Sequence, residues 1–349
     1  MLDDANVLKQ RDSAGALDVV ANLYEQAALD VEIIDGETDG RAIEQVIVAG
    51  MGGSALAADL VRVALGDELM VPYEVVRDYT LPAYAKRTTL VIVSSFSGGT
   101  EETVACMEQA LARGCEVAVI TSGGALRAMA TKHHTMLGLI PAGSEARYGM
   151  IYNMRILLRI LSEFKVVSQR AYDEMAALAP WLQRESELWA KGMPAERNYA
   201  KQLALQAVGK TPVFYAGRLM APVAYKWKIS WNENAKNVAM CNVLPEFSHN
   251  EFIGWTGLPV EKPFAVFDLV SDKEHPRVLK RFAVTDRLLS GRRPKATVVS
   301  IAGESVLAQL LWGVVLGEFV SIYVAVLNNI DPTSVALVDT MKAQLNDEA

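Results

Sequence analysis

Short apolar runs alternate with helical patterns along the first half of the chain. The runs are rich in β-branched residues, and the candidate strands cover residues 45–49, 72–76, 89–94, 116–121 and 134–139. Segments with helical spacing of apolar residues follow two of them, at residues 55–65 and 101–113. Continuous apolar strands that alternate with helices are typical of a parallel sheet with helices on both faces. This half is therefore predicted to be an α/β unit.

The second half repeats the alternation after a helical middle region. Its candidate strands cover residues 212–216, 239–244, 264–270 and 296–301. Residues 152–199 have a helical pattern that Pro180 and Pro194 interrupt. We expect two tandem α/β units, each a parallel, doubly wound sheet flanked by helices. The predicted divisions are an N-terminal unit at 1–172, a helical connector at 173–200 and a C-terminal unit at 201–349.

Residues 307–327 are apolar enough to raise the question of a membrane span. Gln309 and Glu318 interrupt the run, and a carboxylate at the centre of a bilayer costs about 2.5–3.5 kcal/mol on insertion scales. No cationic flank sets an orientation. The segment is therefore predicted to be a core helix, and no membrane partner is expected.

Charge and cysteine content narrow the functional classes. The net charge of −7 does not suit nucleic acid, whose phosphates require a basic surface. Cys106, Cys115 and Cys241 form no CxxC pair, so neither a structural zinc nor a redox dithiol is expected. The sparse, odd number of cysteines suits a reducing compartment, and residues 1–12 lack the apolar core of a signal peptide. We expect a cytoplasmic protein.

Two turns rich in glycine and hydroxyl groups follow predicted strands. The first spans residues 50–55 (GMGGSA) and the second spans residues 95–103 (SFSGGTEET). Ligands of open parallel sheets bind beyond the carboxyl ends of the strands, and a helix N-terminus favours an anion. Glycine lets the backbone approach a ligand, and the hydroxyl groups add uncharged donors. The turns are therefore candidates for binding a phosphate group.

Two other interpretations of these turns stay open at this point. Ser97 or Thr100 could be an ordinary helix cap, with Glu101 and Glu102 favourable in the first turn. The first turn also fits G-x-G-x-x-A, the weak fingerprint of a dinucleotide-binding enzyme, with Glu74 as the acidic residue for the ribose.

Four segments together resemble the sugar isomerase (SIS) domain family and its bifunctional phosphoglucose/phosphomannose isomerases. The segments are MGGSALAADL at 51–60, SFSGGTEET at 95–103, NENAK at 232–236 and PEFSHNE at 245–251. The similarity covers roughly residues 45 to 345, and a dinucleotide-binding dehydrogenase is not expected to carry the last three segments. The resemblance implies two SIS subdomains, a homodimer that completes the active site, and no cofactor or metal. The residues that it assigns to the substrate phosphate are Gly53, Ser54, Ser95, Ser97 and Thr100.

The resemblance also implies four residues for the chemistry. Glu233 matches the catalytic base, and His249 matches a ring-opening histidine that the partner subunit contributes. Arg147 matches an arginine suited to stabilising an enediolate, although Glu145-Ala146 stands where the family has Gln-Pro. Lys342 matches a functional lysine that the family often places near its C-terminus. Lys226, where arginine is common, and Ser248, where asparagine is common, are further departures.

The same residue types suit aldose–ketose isomerisation on chemical grounds. Ring opening needs a proton donor, which histidine supplies near neutral pH. A carboxylate can remove the proton beside the carbonyl, and a cation can stabilise the resulting cis-enediolate. The expected function is isomerisation of glucose 6-phosphate and/or mannose 6-phosphate with fructose 6-phosphate. A non-catalytic protein that binds a sugar phosphate is the alternative, against which the retained Glu233 and His249 argue.

Local patterns give each chemical residue an ordinary explanation as well. Glu233 lies in a predicted helix, where it could pair with Lys236 at the surface. Ser248 and Glu251 fit a capping box that would open a short helix to Trp255, with His249 as its exposed first residue. Arg147 could be an exposed residue that pairs with Glu145. Lys342 borders the apolar stripe of a final helix predicted over 333–345, where it could be a surface residue.

Overall fold

The protein folds into two compact units. A computed structural model describes residues 1–34, 36, 38–143, 146–257 and 263–347, without the side chains of residues 339, 342, 343, 346 and 347. The first-sheet unit comprises Leu23–Leu182 and Ser305–Leu310. The second-sheet unit comprises Met1–Asn22, Gln183–Glu304 and Leu311–Ala349. The predicted boundaries at 172 and 200 stay a prediction.

The first-sheet unit is built on a six-stranded sheet with the order β1-β6-β5-β4-β2-β3. The strands are β1 (Ile33–Ile34), β2 (Gln45–Gly50), β3 (Tyr73–Val76), β4 (Thr89–Ser94), β5 (Glu116–Thr121) and β6 (Met136–Leu139). All pairings are parallel except that of β1, which joins β6 antiparallel. Every residue of β4 and β5 is buried, as continuous apolar strands between helix layers require.

Helices surround this sheet. They are α3 (Tyr24–Ala27), α4 (Gly52–Leu65), α5 (Glu101–Ala112), α6 (Gly124–His133), α7 (Met150–Glu163) and α8 (Arg170–Ala177), with α9 (Ala179–Trp189) crossing the boundary of the unit. Short 3-10 helices span Gly66–Glu68 and Ala146–Tyr148.

The second-sheet unit has four parallel strands in the order β10-β9-β7-β8. The strands are β7 (Thr211–Ala216), β8 (Met240–Val243), β9 (Phe264–Val270) and β10 (Thr297–Ser300). Its helices are α1 (Ala5–Arg11), α2 (Ala16–Ala21), α10 (Tyr199–Ala207), α11 (Ala221–Glu233), α12 (Glu251–Gly254), α13 (Pro276–Leu288), most of α14 (Val306–Leu327) and α15 (Ala336–Asp347). A 3-10 helix spans Glu246–His249.

Both sheets have the same topological feature. In each, the first parallel strand lies between the strand that follows it in sequence and a later strand: β2 lies between β3 and β4, and β7 lies between β8 and β9. The chain therefore reverses its direction of winding beside β2 and beside β7. Ligands of open parallel sheets bind at such switch points.

The fold agrees with the α/β prediction, and the differences are local. The strand β1 and the helices α1 to α3 were not predicted because such short elements carry little periodicity. The helix α4 begins at Gly52 rather than Ala55, and α15 begins at Ala336 rather than Thr333.

The apolar segment at 307–327 is a core helix, as predicted. By length and composition α14 could cross a membrane, but 94% of its most apolar window is buried inside the protein. Its carboxylate Glu318 is only 2% exposed and is paired with Lys226.

Asp268 is a buried carboxylate in the middle of β9, 3% exposed. Burial raises its pKa to about 7, although the nearby charge of Arg293 opposes the shift. In the described part of the chain Asp268 forms no ion pair within 4.0 Å. The folded protein therefore holds a proton on Asp268 at pH values where the unfolded chain has released it.

We expect Asp268 to make the protein less stable as pH rises from about 4 to 7. In this range the folded state binds more protons than the unfolded state, so stability falls with pH, and the effect is complete above pH 7. Asp268→Asn removes this titration. From pH 5 to pH 8, the free energy of unfolding of the parent should fall by roughly 2–3 kcal/mol more than that of Asp268→Asn. This figure follows from about 1.4 kcal/mol per pKa unit.

Urea denaturation at both pH values measures this difference. The exposed Asp67→Asn should keep the parent's pH dependence and serves as the control. An identical pH dependence in Asp268→Asn and the parent would contradict the prediction.

Candidate active site

Two loops lie side by side at the switch point of the first sheet. Parallel pairing of β2 with β4 places Gly50, the last residue of β2, opposite Ser94, the last residue of β4. The loop after β2 leads into α4, and the loop after β4, at residues 95–100, leads into α5. Two helix N-termini with unpaired backbone N–H groups therefore start from adjacent strand ends, an arrangement that favours an anion.

The first loop is short and made of small residues. Met51 is extended, and Gly52 has a positive φ of 50° as α4 begins. Gly53 is exposed, whereas Ser54 is buried in the first turn. The exposed first turn leaves backbone N–H groups open to a ligand.

The second loop is held by its own hydroxyl groups. The hydroxyl oxygens of Ser95 and Thr100 are 2.7 Å apart, and Ser95 Oγ accepts a hydrogen bond from Gly98 N at 3.2 Å. Ser97 Oγ is exposed and accepts from Gly99 N at 3.4 Å. Thr100 occupies the N-cap position of α5, but no side chain caps this helix. The helix-cap interpretation is therefore correct for the position of Thr100 but not for its side chain, and it is wrong for Ser97.

Gly98 fixes the shape of the second loop. Its φ is +69°, and a Cβ atom added there would lie 1.9 Å from Gly123 O in the turn after β5. Ser122 N and Ser122 Oγ donate to Phe96 O at 3.0 and 2.7 Å, which holds the two turns together. A side chain at residue 98 would push the loop out of place.

Arg147 lies in the same unit as these loops, in the 3-10 helix Ala146–Tyr148. Its guanidinium carbon is 4.8 Å from the centre of the Tyr148 ring, and the residue is half-buried. The Cα of the following Gly149 packs against the Phe96 ring, since a Cβ atom there would lie 2.7 Å from it. The structure therefore brings the segment of Arg147 against the second loop. Ser144 and Glu145, which precede it, lie outside the described residues.

Glu233 is the last residue of α11 and is half-buried. The helix ends there because Lys236 adopts a left-handed φ of 49°. Lys236 Nζ donates to Glu233 O at 2.8 Å and to Asp331 O at 2.7 Å, so it closes the helix end through backbone carbonyls. The side-chain pairing of Glu233 with Lys236 stays a prediction.

The residue after Glu233 is anchored in the interior. Asn234 is fully buried, and its Nδ2 donates to Glu318 Oε2 and to Ser321 Oγ, each at 2.9 Å. Glu318 also forms a buried ion pair with Lys226. Sequence reasoning missed this contact, although a single carboxylate in an apolar helix was a signal that a partner had to exist.

His249 ends the 3-10 helix Glu246–His249 and is exposed. The predicted capping box of Ser248 is wrong, because Asn250 caps α12 and its Oδ1 accepts from Glu251 N at 2.6 Å. The Glu251 carboxylate instead accepts from Tyr215 Oη and from Asn242 Nδ2. Two residues of the sheet therefore hold the segment that carries His249.

The tyrosine in this contact stays protonated. Burial, together with the adjacent Glu251 carboxylate, raises the pKa of Tyr215 well above its ordinary value. Its hydroxyl donates to Glu251 and accepts from Trp255 Nε1 at 2.9 Å.

The candidate residues thus divide between the two units. Ser54, Ser95, Ser97 and Thr100 come together at one switch point, with the segment of Arg147 beside the second loop. Glu233 and His249 belong to the second-sheet unit, where α11 and the 3-10 helix both contact β8. Lys342 lies on α15, and its side chain is outside the described part of the structure. Among the described residues, no three His, Cys, Asp or Glu side chains are grouped to hold a metal ion.

Comparison with known proteins agrees with this architecture. Residues 41–154 match the SIS domain, and residues 196–345 match the bacterial phospho-glucose isomerase C-terminal SIS domain. A bifunctional phosphoglucose/phosphomannose isomerase from Caldicellulosiruptor bescii is 33% identical over 336 residues, which are 93% of this chain and 97% of that protein. The chain belongs to the bifunctional phosphoglucose/phosphomannose isomerase family.

A solved structure and a further curated protein are also similar to this chain. A glucose-6-phosphate isomerase like protein from Thermus thermophilus has a similar fold, with a TM-score of 0.65 at 17% identity over 97% of this chain and 98% of that one. A D-glucosamine-6-phosphate 4-epimerase from Sulfolobus acidocaldarius is 32% identical over 212 residues, 60% of this chain and 64% of that protein.

We expect Gly98→Ala to distort the second loop and to weaken anion binding there. The new Cβ atom would overlap Gly123 O and force a positive φ on alanine, so the free energy of unfolding should fall by about 1–3 kcal/mol. Thermal unfolding, with and without inorganic phosphate, measures both effects. The rise in Tm that phosphate causes should be smaller in Gly98→Ala than in the parent.

Gly99→Ala is the matched control for stability. Its Cβ atom would meet nothing within 4 Å, and Gly99 does not have a positive φ. Its Tm should stay close to that of the parent, and equal Tm values for the two variants would contradict the strain assigned to Gly98.

Proposed function

We propose that the protein interconverts glucose 6-phosphate and/or mannose 6-phosphate with fructose 6-phosphate through a cis-enediol intermediate. The observation that carries this proposal is the pair of hydroxyl-rich loops at adjacent strand ends, in a chain of this isomerase family. Small-molecule sugar phosphates are therefore the substrate class.

The phosphate group is held by uncharged donors in this proposal. Gly53, Ser54, Ser95, Ser97 and Thr100 supply backbone N–H and hydroxyl groups around a doubly charged anion. A helix N-terminus adds a favourable potential without a formal charge. This suits a chain with a net charge of −7, in which the positive potential has to be local.

The chemistry begins with opening of the sugar ring. In the proposed mechanism His249 donates a proton to the ring oxygen, and the anomeric hydroxyl gives its proton to solvent water as the C1–O5 bond breaks, which yields the open-chain aldehyde. Glu233 then removes the proton from C2, and the electron pair forms the enediolate. Arg147 and Lys342 are proposed to stabilise the negative charge that develops on oxygen. Return of the proton from Glu233 to C1 completes the ketose.

Use of both epimers requires one further step. Rotation about the C2–C3 bond of the cis-enediol presents its other face to Glu233, so the proton can return to C2 with either configuration. One base can therefore serve both glucose 6-phosphate and mannose 6-phosphate.

We also propose a cytoplasmic homodimer with shared active sites. The three cysteines are free thiols, as expected for a reducing compartment. The proposal that His249 acts in the partner's site rests on the family resemblance. His249 is exposed in the single chain, so its ring is available to a second copy.

We expect Glu233→Gln to lose roughly 10²–10⁴-fold in turnover, the usual contribution of a positioned acid or base. The assay uses fructose 6-phosphate in deuterium oxide and follows, by NMR, deuterium that enters C2 of the aldose products. Glu187→Gln makes the same change at an exposed helix position and should keep the parent's rate.

The outcomes of this assay separate the alternatives. Unchanged exchange in Glu233→Gln would remove Glu233 from the mechanism. Binding of fructose 6-phosphate by the parent without exchange would indicate a sugar-phosphate sensor. Inversion at C4 without an aldose–ketose change would indicate an epimerase such as the Sulfolobus relative.

Subunit mixing tests the shared active site. If Glu233 of one subunit works with His249 of the other, a heterodimer of Glu233→Gln and His249→Ala has one intact site and one doubly altered site. Random exchange of subunits should then restore about a quarter of the parent's activity from two inactive proteins. A mixture that exchanges subunits, as native mass spectrometry would show, but stays inactive would contradict a shared site.

A further inference from the structure

Glu318 is a carboxylate in the middle of an otherwise apolar helix. Its side chain is 2% exposed, and α14 around it is buried on all sides. Burial of an unpaired carboxylate is very unfavourable, so its contacts have to compensate for lost hydration. Those contacts show what this residue does.

The two carboxylate oxygens of Glu318 bind different parts of α11. Oε1 forms the ion pair with Lys226 Nζ, and Lys226 is itself only 5% exposed. Oε2 accepts from Asn234 Nδ2 at 2.9 Å. Ser321, one turn further along α14, accepts the second N–H of the Asn234 amide and donates to Glu318 O. The middle of α11 and Asn234, the residue that directly follows the helix, are therefore joined to a single side chain.

These contacts fix the end of α11 on which Glu233 lies. Asn234 directly follows Glu233, and its backbone N–H bonds back to Ser230 O at 2.8 Å. Trp227 Nε1 donates to Gly313 O at 2.7 Å, which adds a second contact between the same two helices. A rigid neighbour restricts the direction in which Glu233 can project.

We propose that Glu318 is a positioning residue for Glu233, which it orients through the amide of Asn234. The inference rests on the proposed role of Glu233 as the base. The proposal gives the two contacts of the Glu318 carboxylate different roles. The hydrogen bond to Asn234 orients the base, whereas the ion pair with Lys226 neutralises the buried charge of Glu318.

These roles can be separated by substitution. Replacing both members of a buried ion pair by residues of similar volume is often neutral for stability, whereas removing one member leaves an unpaired charge. Lys226→Met with Glu318→Gln removes both charges but keeps an oxygen that can accept from Asn234 Nδ2. The NH2 group that Glu318→Gln introduces can also donate to Asn234 Oδ1, which has no hydrogen-bond partner within the described residues. Lys226→Met with Glu318→Leu removes the charges and the acceptor.

The test compares kcat, KM for fructose 6-phosphate and Tm of these two double variants. The variant with glutamine should keep kcat within about threefold of the parent. The variant with leucine should lose roughly 10–100-fold in kcat, because a small misplacement of a reacting group has an effect of this size. KM should change far less than kcat in both, since an interaction made only in the transition state is lost. A role in stability alone would lower Tm without this split between kcat and KM.

Equal kcat values in the two double variants would overturn the proposal. If the leucine variant does not fold, Asn234→Ala decides, because it leaves the ion pair intact and should show the same loss of kcat. Asn237→Ala is its control: it removes an amide hydrogen bond to Lys210 O near the same helix end without contacting Glu318. A parent-like kcat in Asn234→Ala would also overturn the proposal.

The proposed function fails in a different way. If the parent shows no exchange, or if Glu233→Gln exchanges normally, the base itself is wrong. A parent that exchanges, an inactive Glu233→Gln and two double variants with equal kcat would leave the isomerase in place and remove only Glu318.

Discussion

The connection between two parallel strands has to cross back from one end of the sheet to the other. The carboxyl ends of all parallel strands therefore lie along one edge of the sheet. This constraint brings together the two loops proposed to bind the phosphate. The register of β2 with β4 sets Gly50 opposite Ser94, and both following loops start a helix from the same place. The donors are backbone N–H groups and hydroxyls, which need close approach rather than charge. Gly98 provides that approach, since its Cα touches the turn at Gly123 where no side chain fits.

The residues proposed for proton transfer share a different arrangement. Glu233 is half-buried and His249 is exposed, yet each lies within two residues of a side chain held by polar contacts that are buried at Asn234 and part-buried at Glu251. Asn234 is bound by Glu318 and Ser321, and Glu251 is bound by Tyr215 and Asn242. Groups that must exchange protons with a substrate need access, so their precision has to come from neighbours that solvent does not reach.

Proteins similar to this chain are named for different reactions on phosphorylated sugars, which fits separate places for phosphate binding and proton transfer. Loops proposed to bind only the phosphate place no demand on the carbon where the reaction occurs. If Glu233 is the base, the choice of that carbon depends on Glu233 and on the contacts that orient it.

The sequence by itself determined the α/β architecture, most strand positions, the two hydroxyl-rich loops and the family. These features are local. Continuous apolar runs indicate burial on both faces of a sheet, and glycine with serine or threonine at a strand end indicates a turn. Only the tertiary structure decided that Thr100 bonds to Ser95 rather than capping α5, and that Asn250 rather than Ser248 caps α12. It also decided the partners of Glu318, because Lys226 and Asn234 are 92 and 84 residues away in sequence. The apolar pattern of one helix does not predict which residues of another helix it contacts.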